Sequence, residues 1–328
     1  MTIDYHFFPG VDDKGMKAFQ DGTHRLIDPE MTVKRMTRFM PIMGITRIAN
    51  ITGLDTIGLP VVMVVRPNSR SVAVAQGKGL TIAAAKASGL MESVESYHAE
   101  QITLPLKLAS FEELRYTHTM IDVQGLPFHK GSSFQSTTRI LWIEGYDIMS
   151  DHSAWLPYEL VHTNYTLPMP SGSGNFVPSS NGLASGNHLL EATSHALCEA
   201  VERDATTLWN LRSPEDKAKT RLDLNTVDDD ACCEVLEKYE KAGMAVGIWE
   251  TTSDVEVPTF KCSIVDTQDQ AFRRMYAASG YGCHPTRRIA LLRALTEAAQ
   301  SRLTMISGSR DDVFRTDYER TRNTDIVS

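Results

Sequence analysis

The chain has 328 residues, 42% hydrophobic and 23% charged, which excludes peptide-scale scaffolds, wholesale disorder and collagen-like repeats and leaves room for about two domains or one large α/β unit. Thirty-three Lys and Arg against 41 Asp and Glu give a net charge of −8, the wrong sign for a general polyanion binder. No nucleic-acid partner is expected, and a bound nucleotide would call for a cation.

The first forty residues read as irregular. Gly44 to Ala49 and Leu59 to Val65 then read as β-rich runs separated by a Gly53-Leu54-Asp55 turn. A helix of about five turns is expected over Thr81 to Ala99, introduced by Gly77-Lys78-Gly79. Strand character returns at Thr138 to Ile143, and Asn164 to Asn187 forms a loop rich in glycine, serine and proline that leads into a helix over about Leu189 to Leu211. An amphipathic helix between Asp223 and Gly243, strands near Ala245 to Glu250 and Thr259 to Val265, and a third alanine-rich helix over about Thr286 to Ile306 complete the pattern. Mixed helices and strands with hairpin spacing and no sharp linker point to an α+β fold, read as a single region with a charged tail over 310–328.

Apolar runs such as Leu59 to Val65 stop well short of the roughly 18 residues that span a bilayer. The amino terminus carries no basic segment followed by an apolar one. A cytoplasmic protein without a membrane segment is the expectation. Five cysteines (Cys198, Cys232, Cys233, Cys262 and Cys283) without C-x-x-C spacing argue for reduced thiols, against a disulfide framework and against a cysteine zinc site.

The three alanine-rich helices share a pattern. Leu90-Met91-Glu92-Ser93-Val94-Glu95, Leu197-Cys198-Glu199-Ala200-Val201-Glu202 and Leu295-Thr296-Glu297-Ala298-Ala299-Gln300 align, and in the first two a glycine (Gly79, Gly186) precedes the first glutamate by the same 13 positions. On an ideal helix Ser88, Glu92 and Glu95 fall within an arc of roughly 60°, and Glu191, His195, Glu199 and Glu202 within roughly 80°. An exposed acidic face is the ordinary alternative, since like charges one turn apart cost only a few tenths of a kcal/mol in water. The flanks of these stripes are alanine and leucine, however, and clustered carboxylates in such company suit magnesium bridging to phosphate oxygens. The run Ser179 to Asn187 offers backbone N–H groups at a helix amino terminus, where an anion is favoured, although a plain serine or asparagine cap is the commoner use. Neither G-x-x-x-x-G-K-[ST] nor G-x-G-x-x-G is present in the required context.

Several motifs together resemble the YcaO family: Ser88-x-x-x-Glu92-x-x-Glu95, Ser180 to Asn187 leading to Glu191, Glu199-x-x-Glu202-Arg203-Asp204, and Glu297-x-x-Gln300-x-Arg302. Gly22-Thr23-His24-Arg25, Thr46-Arg47 with Thr52-Gly53-Leu54-Asp55, and Gly280 to Pro285 extend the likeness over about residues 20 to 310. The resemblance implies the family's α+β ATP-binding fold and ATP-dependent phosphorylation of a peptide backbone amide. It implies Glu92, Glu95, Glu191, Glu199 and Glu202 as ligands of Mg2+, and Ser88, Ser185, Asn187, Arg203, Gln300 and Arg302 as nucleotide-binding residues. It singles out no catalytic residue. Forked arginine donors suit phosphate, and neutral side chains position a nucleotide without adding charge. Arg302 lies about 140° around its helix from Glu297, off the stripe.

Two departures from the family pattern shape the expectations about partners. A carboxyl-terminal family segment is read as missing, and no fused leader-recognition module is visible, so a peptide or protein substrate would be presented by a separate partner, TfuA-like or leader-binding. A homodimer stays open. Thioamide formation is the expected reaction, with azoline formation and a non-catalytic nucleotide-bound scaffold as alternatives. An unrelated metal hydrolase lacks its activating ligand set. Cys283-His284 is read as structural, His195 is left outside the site, and Cys198 and Cys262 are read as small hydrophobes.

Overall fold

Asp28 and Pro29 open the first helix. The Asp28 carboxylate accepts the Glu30 N–H at 2.6 Å, and proline, which has no N–H to waste, occupies the first turn of α1, Pro29–Thr37. The first forty residues are therefore not irregular throughout, and the Asp-Pro-Glu start was the signal that marks it. The computed structural model describes residues 16–20, 22–267 and 277–316. The expected tail lies largely outside them.

The apolar run after α1 becomes the middle of a sheet. β1 (Arg47–Asn50), β2 (Val61–Val65) and β3 (Val74–Lys78) pair antiparallel in that order, with Arg47 opposite Val65 and Val61 opposite Lys78. Both faces of β2 are covered, which is why it shows continuous valine instead of alternation. Gly77-Lys78 belongs to β3 and is not a loop, because β3 lies directly on α2 (Ile82–Glu100): a Cβ at Gly77 would sit 2.0 Å from the Ala85 carbonyl oxygen and 2.2 Å from the Gly89 nitrogen. Only glycine allows that approach.

After α2 the chain forms β4 (Leu106–Ala109), the short α3 (Phe111–Leu114), and the hairpin β5 (Ile140–Asp147) and β6 (His152–Pro157), giving a second antiparallel sheet in the order β4-β5-β6. Trp142 is buried there and donates its indole N–H to the Ala109 carbonyl at 2.9 Å. The glycine-rich stretch after β6 is irregular as expected, yet ordered by one side chain. The buried Glu159 carboxylate accepts the N–H groups of Gly174, Asn175 and Phe176 at 2.5, 3.1 and 3.1 Å.

Then come α4 (Leu189–Asn210), α5 (Pro214–Lys219), α6 (Asp230–Lys241), β7 (Met244–Glu250), β8 (Thr259–Asp266), β9 (Ala278–Cys283) and α7 (Arg287–Ser307). The helix expected from Asp223 begins seven residues later. Leu224–Thr226 is a 3-10 turn, and the Asp229 carboxylate caps α6 through the Cys232 N–H at 3.0 Å. The third sheet runs β7-β8-β9, and α7 packs on β9 as α2 packs on β3: Cβ atoms at Gly280 and Gly282 would meet the backbone of Ala298 and Ala290 at 2.3 and 2.1 Å. The repeat seen in the helices therefore includes the strand before each of these two.

The described residues form two compact units, one within 1–68, 72–95 and 181–328, the other 69–71 and 96–180. The first holds the largest apolar core, built from α6, α7 and the β7-β8-β9 sheet, and every expected Mg2+-ligand and nucleotide-binding residue falls within it. The fold is mixed α+β.

Candidate functional site

α2, α4 and α7 bring their glutamates to one place in the first unit. Glu92 stands beside Glu95 on α2 and accepts the Gln76 backbone N–H of β3, and burial followed by the Glu95 charge pushes its carboxyl up to about 7. Glu95 is likewise pushed up to about 7, by burial first and by Glu199 of α4, against the pull of its bonds from Ser185. Glu199 and Glu202 are both shifted upward by burial, and Glu202 also by the Glu297 carboxylate of α7. Burial acts to raise Glu297 too, but Lys78, 2.8 Å away, together with the Tyr281 N–H and Arg293, outweighs it and the net shift is downward. Arg203 reaches Glu199 at 3.5 Å and Glu202 at 3.7 Å from the exposed edge. Buried carboxylates held this close, raised by burial first and in part by one another, are groups that a cation would stabilise.

The loop before α4 serves these carboxylates. Ser185 donates to Glu95 from its N–H at 2.9 Å and its hydroxyl at 2.6 Å, and Gly182 N–H reaches Glu199 at 3.3 Å. Glu191 accepts the N–H groups of Asn187 at 2.7 Å and Leu26 at 3.0 Å, while the Asn187 side chain bonds Thr32 of α1. The donors expected to cradle a phosphate at this helix start are thus held by glutamates. Ser88 lies on α2 one turn before Glu92.

Cations gather beside the first half of α4. Lys17, His24, Arg25, Glu191, His195, Cys198, His284 and Arg293 line a cavity of about 20 Å3, room for about one water. Burial and Arg293 pull the Arg25 guanidinium below its usual range, and burial with Arg25 does the same to Lys17. His195 is pulled down to about 2 by burial and by Arg293, Arg25, Lys78 and Lys17, and its Nδ1 lies 3.3 Å from Arg293. The Arg293 Nε finds no partner among the described residues. The neighbouring Cys283 side chain, then Arg293 and Lys17, draw the Cys198 thiol downward, and Cys283 is pushed up.

Gln300 and Arg302 take different places. Gln300 donates to the Gln76 carbonyl at 3.2 Å, and its buried Oε1 has no partner among the described residues, so it borders the Glu92 side. Arg302 is buried between Asp266 at 3.2 Å and Asp55 at 3.7 Å. It ties the Thr52–Leu54 turn region to β8 and does not join the glutamates.

The family model described as YcaO cyclodehydratase, ATP- and Mg2+-binding, matches residues 76–327. The chain belongs to the YcaO family. An uncharacterized protein in the tfuA 3' region of Rhizobium leguminosarum bv. trifolii is 38% identical over 93% of this chain and 72% of its own length. Among solved structures, the YcaO protein of Methanopyrus kandleri bound with AMPPCP and Mg2+ has a TM-score of 0.64 at 20% identity, over 93% of this chain and 76% of that one. A heterocyclase in complex with substrate and cofactor has a TM-score of 0.71 at 23% identity, and the chain, matched over 93%, spans 44% of it. At these identities the two structures bear on the fold alone.

ATP and Mg2+ are the ligands of the YcaO family, and the residues fit them. Among the described residues no three His, Cys, Asp or Glu side chains converge into a ready-made metal site, but Mg2+ is commonly held by one or two carboxylates with phosphate and water completing its shell. Glu92 with Glu95 and Glu199 with Glu202 offer such pairs, and unpartnered atoms of Gln300 and Arg293 lie at their margins. No helix among the described residues is long and apolar enough to cross a membrane.

Sequence reasoning passed over Glu297, Lys78, Lys17, Arg25, Arg293 and His195 as site residues. Glu297 occupies the same position in the third helix as Glu92 and Glu199 in the first two, so the repeat contained that signal. Lys17 and Arg25 come from the stretch before α1, Lys78 from β3 and Arg293 from α7, and no spacing rule collects them. His195 carries a testable consequence. Neutral in the fold and protonated below about 6.5 when unfolded, it makes the unfolded chain bind more protons, so stability falls as pH drops below 6.5. His195→Asn should flatten the decline between pH 6.5 and 5 by about 1 kcal/mol per pH unit in urea titrations; identical slopes in variant and parent would show that the ring is not held neutral.

Proposed function

We propose that this chain uses ATP and Mg2+ to activate a peptide backbone amide and that the product is a thioamide. The carrying observation is the convergence of Glu92, Glu95, Glu199, Glu202 and Glu297 from three helices, with Lys78, Arg203 and Arg293 at their edges. Bound Mg·ATP supplies the phosphoryl group that turns the amide oxygen into a leaving group. Glu92, Glu95, Glu199 and Glu202 hold the metal, with Glu191 fixing the loop that places them. Lys17, Arg25 and Arg293 offset phosphate charge, a role suited to half-buried cations, one of which, Arg293, has an unpartnered Nε. Ser88, Ser185, Asn187 and Gln300 set the nucleotide's position, and Arg203 balances the carboxylates at the rim. Arg302, clasped by two aspartates, supports the nucleotide site from behind.

A separate partner of TfuA type presenting the peptide accords with the relative from a tfuA 3' region. The test is a reconstitution of this chain with ATP, Mg2+, sulfide, a TfuA-type protein and short synthetic peptides, followed by intact-mass measurement. A gain of about 16 Da marks oxygen-to-sulfur exchange, whereas a loss of about 18 Da would replace thioamidation by azoline formation. Unchanged peptides with ATP bound but never consumed would make the chain a scaffold.

A further inference from the structure

The cavity beside α4 is walled largely by hydrogen-bond donors. Lys17, Arg25 and Arg293 line it against a single carboxylate, Glu191, whose two oxygens are already taken by the Leu26 and Asn187 N–H groups at 3.0 and 2.7 Å. The histidines of the wall add to the donors. His284 Nδ1 accepts the Thr286 N–H at 2.9 Å, and His195 Nδ1 accepts from Arg293 Nη1 at 3.3 Å, because a guanidinium can only donate. Each neutral ring therefore carries its proton on Nε2. The Arg293 Nε and the His24 Nε2 are buried without a partner among the described residues, and buried polar atoms left over in a fold call for a bound water or ion. The space is about 20 Å3, enough for one heavy atom. A phosphate group is several atoms too large to enter and meets these cations only from outside.

We propose that this cavity holds a monovalent anion of one heavy atom and that in turnover this anion is hydrosulfide. The first half stands on the wall alone, and the second rests on the thioamide reading, which requires a sulfur nucleophile. Water is the poorer occupant, since it brings two donors of its own to a wall that lacks free acceptors. An anion accepts from every donor around it and offsets cations that outnumber their one carboxylate. Hydrosulfide and chloride share the charge and nearly the size that this wall selects. Only hydrosulfide serves the proposed reaction, so the two are told apart by competition and by the product.

The test soaks halide-free crystals of the full chain in sodium bromide, whose anomalous scattering locates the ion, and repeats the soak with sodium hydrosulfide added in oxygen-free, mildly alkaline buffer. Calorimetry of hydrosulfide into the same protein gives the affinity. The expected result is a bromide peak in the cavity that fades as hydrosulfide is added, with hydrosulfide binding at a dissociation constant of about 1 mM or lower. His284→Asn keeps an oxygen for the Thr286 N–H and withdraws the Nε2 donor, so it should bind both anions about tenfold more weakly. A cavity without bromide in the parent protein overturns the proposal, and so does parent-like anion binding by a folded His284→Asn. A bromide peak that hydrosulfide does not displace overturns the hydrosulfide half. Displacement by hydrosulfide in a protein whose peptide product is lighter by about 18 Da overturns the thioamide reading, and the role in turnover with it, and supports the anion site.

Discussion

Glu202→Gln is expected to abolish magnesium-dependent ATP turnover and leave the fold intact. Glu202 is buried on α4 beside Glu297, and burial and that charge both raise its carboxyl. A solvated glutamate can be replaced within about 0.5 kcal/mol. A metal ligand cannot, because losing an anionic oxygen from a phosphoryl-transfer metal removes about a thousandfold or more in rate. In the metal-free protein the substitution takes one negative charge from a cluster that repels itself, so the melting temperature should hold or rise slightly. Phosphate release and thermal melting, run on the same preparation, separate these effects. Full activity in the variant would return Glu202 to a charge without a role in the chemistry.

Gly77→Ala is expected to cost about 3 kcal/mol or more. The new methyl group would meet the Ala85 carbonyl oxygen, the Gly89 nitrogen and the Gly89 Cα at 2.0, 2.2 and 2.8 Å, all of them helix backbone that no rotamer change can move. β3 and α2 must separate, and with them the Gln76 N–H that Glu92 accepts and the Lys78 ammonium that Glu297 holds. Both folding and the site should suffer. Gly53→Ala is the control, since nothing lies within 4 Å of its Cβ position, and its effect should stay within about 0.5 kcal/mol. Urea midpoints of equal size for the two variants would mean that the strand does not rest on the helix as described.

Much of this was legible in the sequence where periodicity is strong. The helices expected over Thr81 to Ala99 and Leu189 to Leu211 are Ile82–Glu100 and Leu189–Asn210, because alanine-rich stretches without proline leave the backbone one good choice. Strands made largely of small or polar residues escaped notice. β9 reads Ala-Ser-Gly-Tyr-Gly-Cys and β3 reads Val-Ala-Gln-Gly-Lys, so neither shows the β-branched signature, and each exists because its glycines let a helix lie against it. The carboxylate stripe was visible because it repeats. The cationic cavity was not, because Lys17, Arg25 and Arg293 are brought together only by tertiary structure. Arg302 was placed at the nucleotide by the family resemblance although its spacing set it off the stripe, and in the structure it pairs with Asp55, ahead of β2, and Asp266, at the end of β8.

Magnesium-dependent nucleotide binding tests the carboxylate cluster most directly. In a chain of net charge −8 whose clustered glutamates already repel one another, a triphosphate can settle only with its cation. Calorimetric titration of ATP into the protein should show binding with Mg2+ present and at least about tenfold weaker binding in excess chelator. Equal affinity in both conditions would contradict it.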